Sequence, residues 1–126
     1  MLNVSVDRRI FLCLQPTDMR CSFDGLAARV RHQLLADPAD GSWYVFINRR
    51  RTQLKLLAFE PSGYCVWSKR LEQGQFASMQ SRNDASKALC ATELLALLEG
   101  FEVACDRRRK RYAGRPESAV VAAAMR

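Results

Sequence analysis

The chain has 126 residues, of which 48% are apolar, and a formal net charge of +7. A chain of this length buries one modest core, which excludes a multidomain enzyme. It contains neither an apolar run of about 18 residues, which a membrane span needs, nor a secretory signal in its first residues, so we expect a cytoplasmic protein.

The first two predicted elements are a buried strand and an amphipathic helix. The continuous apolar run Ile10–Leu14 is typical of a strand buried on both faces. Apolar residues then recur at helical spacing after Ser22, a good N-cap residue, which predicts a helix over Ser22–Leu35. Its apolar stripe, which we expect to pack on the core, consists of Phe23, Leu26, Ala27, Val30 and Leu34.

Three further strands are predicted in the middle of the chain. The run Trp43–Ile47 is aromatic or β-branched throughout, which favours a strand. Two more apolar runs, Leu54–Phe59 and Tyr64–Leu71, follow it, and turn-forming residues at Asn48–Thr52 and Pro61–Gly63 separate the three runs. Strands joined by such short loops form an antiparallel meander.

The last part of the chain combines one helix with a basic tail. The polar stretch Gln73–Lys87 has no clear period and is predicted as a loop, whereas Ala91–Glu99 has helical spacing and ends at a glycine. Seven basic and two acidic residues follow Cys105, against thirteen and eleven up to that point, so the basicity is concentrated in the tail. We therefore expect one domain over residues 1–105 and a mobile basic tail over residues 106–126.

Together these elements predict an α+β domain in the order β-α-β-β-β-α. The sheet is expected to be small and antiparallel. The two helices, Ser22–Leu35 and Ala91–Glu99, are expected to pack on one of its faces, and the flexible basic C-terminal tail follows the domain.

Seven segments, taken in their order along the chain, form a recognisable series. They are Pro16–Arg20, Ser22–Ala27, Val45–Arg50, Leu54–Leu57, Gly63–Trp67, Lys69–Phe76 and Leu97–Phe101. In this order they resemble the TnpB-type accessory proteins, also called Orf2-like proteins, of the IS66 insertion sequences. The resemblance covers about residues 9 to 103. The chain departs from the family pattern at Cys21, where the family has a basic residue, at Arg51–Thr52, where the family has Gly-Asp, and in its longer tail.

This resemblance implies a role in transposition beside a larger transposase encoded by the same element. The family offers no active site to carry over, so we expect a non-catalytic accessory protein that binds DNA of the element ends, the transposase, or both. The first alternative is a protein–protein adaptor that makes no DNA contact. A small metal-dependent nuclease is the second alternative.

The sequence contains no recognisable catalytic or cofactor motif. A two-metal nuclease needs clustered carboxylates, and the spacing of the acidic residues shows no such cluster. The single histidine, His32, has no partner nucleophile motif, and phosphate-binding glycine loops are absent, so we expect neither an enzyme nor a nucleotide cofactor. Zinc is not expected, because the cysteines lie far apart without a C-x-x-C pair. The acidic residues weighed are Asp18, Asp24, Glu60 and Glu72, and the cysteines, expected to be reduced, are Cys13, Cys21, Cys65, Cys90 and Cys105.

Two groups of basic residues are candidates for nucleic-acid contact. The first group, at a hairpin tip and on adjoining strands, is predicted to form one positive surface with Tyr44, Tyr64 and Trp67 nearby for stacking. The alternative is a solvated turn and sheet edge, where cations prevent edge-to-edge aggregation. The second group, in the tail, is expected to contact phosphates without reading base sequence. The first group is Arg49, Arg50, Arg51, Lys55, Lys69 and Arg70, and the second is Arg107, Arg108, Arg109, Lys110 and Arg111.

Overall fold

The computed structural model describes residues 8–78 and 84–100, which form a five-stranded sheet and two helices. In chain order the elements are β1 (Ile10–Cys13), α1 (Phe23–His32), β2 (Trp43–Ile47), β3 (Gln53–Glu60), β4 (Gly63–Arg70), β5 (Ser86–Leu89) and α2 (Ala91–Glu99). Across the sheet the strands lie in the order β4-β3-β2-β1-β5, which confirms the predicted α+β class. Neither helix in these ranges has the length and apolarity of a membrane span. The predicted mobile tail, residues 106–126, lies outside the described residues.

The sheet is mixed, because β1 and β2 run parallel while every other neighbouring pair is antiparallel. Helix α1 carries the chain back across the sheet between β1 and β2, and a strand reached through such a crossover runs parallel to the first. The predicted meander is confirmed for β2, β3 and β4. The prediction of a wholly antiparallel sheet is wrong, since a short apolar run does not reveal the direction of its strand.

A fifth strand, β5, lies within the stretch that the sequence predicts as a loop. It pairs antiparallel with β1, from Ile10 opposite Leu89 to Cys13 opposite Ser86. Of its four residues only Leu89 is buried, so it lacks the alternation from which a half-buried strand is predicted. Pairing with the open edge of β1 stabilises it instead. The predicted element order is therefore corrected to β-α-β-β-β-β-α.

The two helices pack on opposite faces of the sheet, which corrects the prediction that both lie on one face. Successive strand residues point to opposite sides of a sheet. In β2, the side chains of Trp43, Val45 and Ile47 pack in the apolar cluster that contains α2, whereas Tyr44 and Phe46 pack in the cluster that contains α1. All five residues of β2 are buried. Such a strand needs a covering layer on both sides, because half of its apolar side chains would otherwise contact water.

Helix α1 is shorter than predicted and buries a narrower stripe. It ends at His32, and Leu35 beyond it has a φ of 53°, in the left-handed region that often follows a helix, and is 84% exposed. Leu26 and Val30 are buried as predicted, but Phe23 is 46% exposed and does not belong to the core. Phe23 is the first residue of the helix, about one turn before the residues that contact the sheet.

Candidate nucleic-acid interface

The parallel pair β1 and β2 places two connections at one edge of the sheet. The carboxyl ends of parallel strands meet at the same edge, where α/β proteins commonly bind their ligands. The β1–α1 loop, residues 14–22, and the tip of the β2–β3 hairpin, residues 48–52, both leave from this edge. A groove lies between them, and we call it the arginine groove. It is lined by residues 16–20 of the loop, by Asn48, Arg49, Arg50, Thr52 and Gln53 of the hairpin, and by Arg29 of α1.

Asn48 shapes the hairpin that forms one wall of the arginine groove. Its Oδ1 accepts hydrogen bonds from the N–H groups of Thr52 at 2.9 Å and Gln53 at 3.1 Å, and its carbonyl accepts one from the Arg51 N–H at 3.0 Å. Arg51 has a φ of 59°, a left-handed conformation that glycine adopts most easily. The glycine that the family resemblance implies at this position would adopt this conformation without strain.

The hairpin tip is also tied to the chain that follows β4. The Gln75 Nε2 donates to the carbonyl of Arg50 at 2.9 Å, and the Phe76 N–H donates to the carbonyl of Arg51 at 2.7 Å. The Arg51 guanidinium donates in turn to the carbonyl of Phe76 at 3.3 Å. Arg51 therefore holds the tip to the core, whereas Arg49 and Arg50 have exposed side chains at the groove.

Two cations hold the β1–α1 loop, which forms the other wall of the groove. Lys55 of β3 donates from Nζ to the carbonyls of Met19 and Cys21, each at 2.8 Å. Arg29 of α1 donates from Nη2 to the carbonyl of Pro16 at 3.0 Å. Hydrogen bonds from charged donors are stronger than those from neutral ones, so the loop backbone is fixed against both β3 and α1.

The same loop carries one ion pair at the groove. The Asp18 carboxylate accepts hydrogen bonds from Arg20 Nε at 3.0 Å, from Arg20 Nη2 at 2.6 Å and from the Arg20 backbone N–H at 2.9 Å. The hydrogen bonds from the Arg20 side chain lower the pKa of Asp18 to about 2. Among the described residues that line the groove, Asp18 is the single acid, against Arg20, Arg29, Arg49 and Arg50. The groove therefore has an excess of positive charge.

The structure separates the strand cations that the sequence analysis assigned to one surface. Lys55 points to the α1 face, whereas Lys69 points to the α2 face and donates to the carbonyl of Leu98 at 3.2 Å. Arg70 pairs with Glu72 at 3.5 Å. In the β3–β4 register Lys69 lies opposite Leu54, so the two share a face, and Lys55, the next residue after Leu54, points to the other side of the sheet. The prediction of one continuous surface is therefore wrong for these two lysines.

The aromatic residues predicted for base stacking do not line the groove. Tyr44 is buried and donates its hydroxyl to the Asp40 carboxylate at 2.9 Å, and burial together with this hydrogen bond raises the pKa of Tyr44 to about 12. Tyr64 packs edge-on against Phe59, with 5.0 Å between ring centroids. Trp67 packs against the cluster that contains α2. These rings contribute to the core and the sheet surface.

Two groove residues, Arg20 and Arg29, are not among the sequence-predicted contacts. Their place at the groove depends on the parallel pairing of β1 and β2, which brings the loop beside the hairpin. The signal that pointed toward this loop is the motif Pro16–Arg20, one of those that carry the family resemblance. The predicted tail contacts, residues 107–111, lie outside the described residues.

The described His, Cys, Asp and Glu side chains are dispersed. Within residues 8–78 and 84–100, no group of three or more His, Cys, Asp and Glu side chains lies close enough to hold a metal ion. The four described cysteines are free thiols: Cys13 is buried, Cys21 is partly buried, and Cys65 and Cys90 are exposed.

Comparison with known proteins connects this chain to one family and to bacterial relatives. The sequence matches the family described as "IS66 Orf2 like protein" over residues 8–108. It is 34% identical over 102 residues to the uncharacterized protein y4hO of Sinorhizobium fredii, covering 81% of this chain and 88% of that protein. It is 38% identical over 76 residues to the uncharacterized protein y4jC of the same organism, covering 60% of this chain and 65% of that protein. No solved structure matches the chain.

Proposed function

Because the chain belongs to the IS66 Orf2-like protein family, we propose that it is a non-catalytic accessory protein that binds DNA through the arginine groove during transposition of its element. The observation that supports DNA binding is the convergence of exposed arginines on two rigid walls of one groove. Duplex DNA is a dense array of phosphate charges, and arginines account for much of the affinity of proteins that bind it.

Arg49 and Arg50 are the residues on which this proposal depends most. Both side chains are exposed, and neither has a hydrogen-bond or ion-pair partner among the described residues. Asn48 and Gln75 fix the backbone that carries them, so both arginines are already placed at the groove before DNA arrives. Arginines placed in this way can contact phosphates, and a two-stranded ribbon can also present them to guanine edges in the major groove.

The experiment is a binding titration of the full chain on end DNA of the element and on scrambled duplex, each at several salt concentrations. The variant Arg49→Ala/Arg50→Ala should reduce the magnitude of the slope of log K against log salt by about 1.8 if both residues contact phosphates. If they read bases, the preference for end DNA should fall as well. Arg9→Ala is the control, because Arg9 is similarly exposed but precedes β1 and so lies at the opposite edge of the sheet.

The transposase of the same element is the second proposed partner. Co-purification of the two proteins, with and without end DNA, tests this contact. A parent protein that binds neither DNA at low salt, yet retains the transposase, would support the alternative of a pure protein–protein adaptor.

The absence of catalysis also remains a proposal with its own test. End DNA incubated with the protein and Mg²⁺ or Mn²⁺ should stay intact. Cleavage that disappears in a folded Asp24→Asn variant would show that the chain is a nuclease.

A further inference from the structure

Arg20 combines high exposure with a fixed guanidinium. Its side chain is 92% exposed, a situation in which an arginine normally samples many rotamers. Here, however, Nε lies 3.1 and 3.0 Å from the two oxygens of Asp18, and Nη2 lies 2.6 Å from one of them. The Asp18 carboxylate also accepts the Arg20 backbone N–H at 2.9 Å, so one carboxylate holds both ends of the residue.

The way in which Asp18 engages the guanidinium leaves its outer edge free. An arginine has five N–H donors in a rigid plane. The Asp18 carboxylate takes the Nε donor and one donor on Nη2. Three donors remain, and two of them, one on Nη1 and one on Nη2, lie parallel along the outer edge that faces away from Asp18. Such a pair of parallel donors matches two acceptor atoms, either the oxygens of a phosphate or O6 and N7 of guanine.

We propose that Arg20 is a further nucleic-acid contact of the arginine groove, a two-pronged donor that Asp18 holds in position for a paired acceptor on DNA. This inference rests on the proposed DNA-binding function. In it Asp18 is a positioning residue and makes no DNA contact itself.

Hydrogen bonds hold the backbone beneath Arg20, as they hold the hairpin on the other side of the groove. Lys55 fixes the carbonyls of Met19 and Cys21 on either side of Arg20. The Thr17 N–H donates to the carbonyl of Ile47 at 3.0 Å, which ties the loop to the end of β2. Contacts that are ordered before binding lose less conformational entropy on association. Arg20 therefore meets DNA from the loop wall while Arg49 and Arg50 meet it from the hairpin wall.

The direction in which Asp18→Ala changes the DNA affinity distinguishes a positioning role of Asp18 from a purely electrostatic one. Asp18 is an anion beside a proposed polyanion site, so plain electrostatics predicts that its removal tightens DNA binding. If Asp18 positions Arg20, its removal weakens binding, because the guanidinium must then be ordered at the moment of contact. The two explanations predict opposite signs for Asp18→Ala.

The test titrates duplex DNA with the full-length parent and with Asp18→Ala, Arg20→Ala, Arg20→Lys and the double variant Asp18→Ala/Arg20→Ala. We expect Arg20→Ala to lower affinity about fivefold or more, the range of a lost bidentate contact. Arg20→Lys should lose most of the same affinity, because it keeps the charge without the fork. Asp18→Ala should also weaken binding, and this effect should vanish in the Arg20→Ala background. Glu60→Ala at the opposite end of β3 is the control for loss of one acid.

A comparison of a mixed-sequence duplex with a duplex made only of A·T pairs identifies the DNA group that accepts from Arg20. On a duplex made only of A·T pairs, an unchanged effect of Arg20→Ala assigns the contact to phosphate, whereas a lost effect assigns it to guanine. Either result supports the proposal.

Tighter DNA binding by a folded Asp18→Ala variant would overturn the inference. Full affinity in Arg20→Lys would also overturn it, and this variant decides the question if Asp18→Ala does not fold. In either case a parent that still depends on Arg49 and Arg50 leaves the proposed function standing. A parent that binds no DNA refutes both.

Discussion

The ionisation of the Asp18 carboxylate is governed mainly by one neighbour, Arg20. We expect Asp18 to titrate at about 2, because the hydrogen bonds from the Arg20 side chain favour its charged form. The folded pKa lies below the ordinary value of 3.8, so the contribution of this pair to stability is present above that value and is lost as the pH falls through the folded pKa. NMR titration of the carboxyl carbons measures this directly.

The matched variant for that titration is Arg20→Ala, in which the pKa of Asp18 should return toward 3.8. Thermal unfolding of the parent, followed from neutral pH downward, should then show a loss of stability that is smaller in the variant. An Asp18 that titrates at its ordinary value in the parent would mean that the pair is open in solution.

At the scale of elements, α1 contributes to the fold through one buried stripe. Leu26→Ala should lower the free energy of unfolding by about 2 to 5 kcal/mol, because it removes buried methyl groups and leaves a cavity. The side chain of Leu26 is fully buried in the apolar cluster that contains α1. Chemical denaturation gives the value. Leu95→Ala in α2 is the control, since Leu95 is 45% exposed and its truncation should cost much less.

Lys55 joins two elements, β3 and the loop before α1, by its two hydrogen bonds to the carbonyls of Met19 and Cys21. Lys55→Met keeps most of the length of the side chain but leaves these carbonyls without their charged donor, so we expect a loss of about 1 to 3 kcal/mol of stability. The loop amides should also exchange faster with solvent. Lys87→Met, on exposed β5, provides the comparison. Equal effects of the two substitutions would mean that Lys55 contributes only its charge.

At the scale of the whole molecule, the basic run at residues 107–111 and the arginine groove are expected to contribute differently to DNA binding. A chain that ends at Cys105 loses the five basic residues of that run together with Arg115 and Arg126. The magnitude of the slope of log K against log salt should therefore fall by about 4.5 if the five residues of the run meet phosphates, and by at most about 6.3 if all seven do. Affinity should fall similarly on end DNA and on scrambled DNA. A loss confined to end DNA would show instead that the tail reads sequence.

Much of the element pattern follows from local chemistry. The helical spacing after Ser22, the aromatic and β-branched run Trp43–Ile47, and the turn residues between the later strands each depend on neighbours in the chain, so α1, α2 and the meander of β2, β3 and β4 were predictable. The hairpin position of Arg49 and Arg50 was predictable for the same reason. The motifs that carry the family resemblance are likewise properties of the sequence.

The sequence by itself determined the two helices, the first four strands, the family, and the arginines at the hairpin tip. Only the tertiary structure decided the parallel pairing of β1 with β2, the pairing of β5 with β1, and the placement of the two helices on opposite faces. These features depend on contacts between segments far apart in the chain, which no local period encodes. The parallel pairing of β1 with β2 brings the loop beside the hairpin, so the tertiary structure also decided that Arg20 and Arg29 line the arginine groove. It likewise decided that Lys55 supports the loop from the face opposite to Lys69.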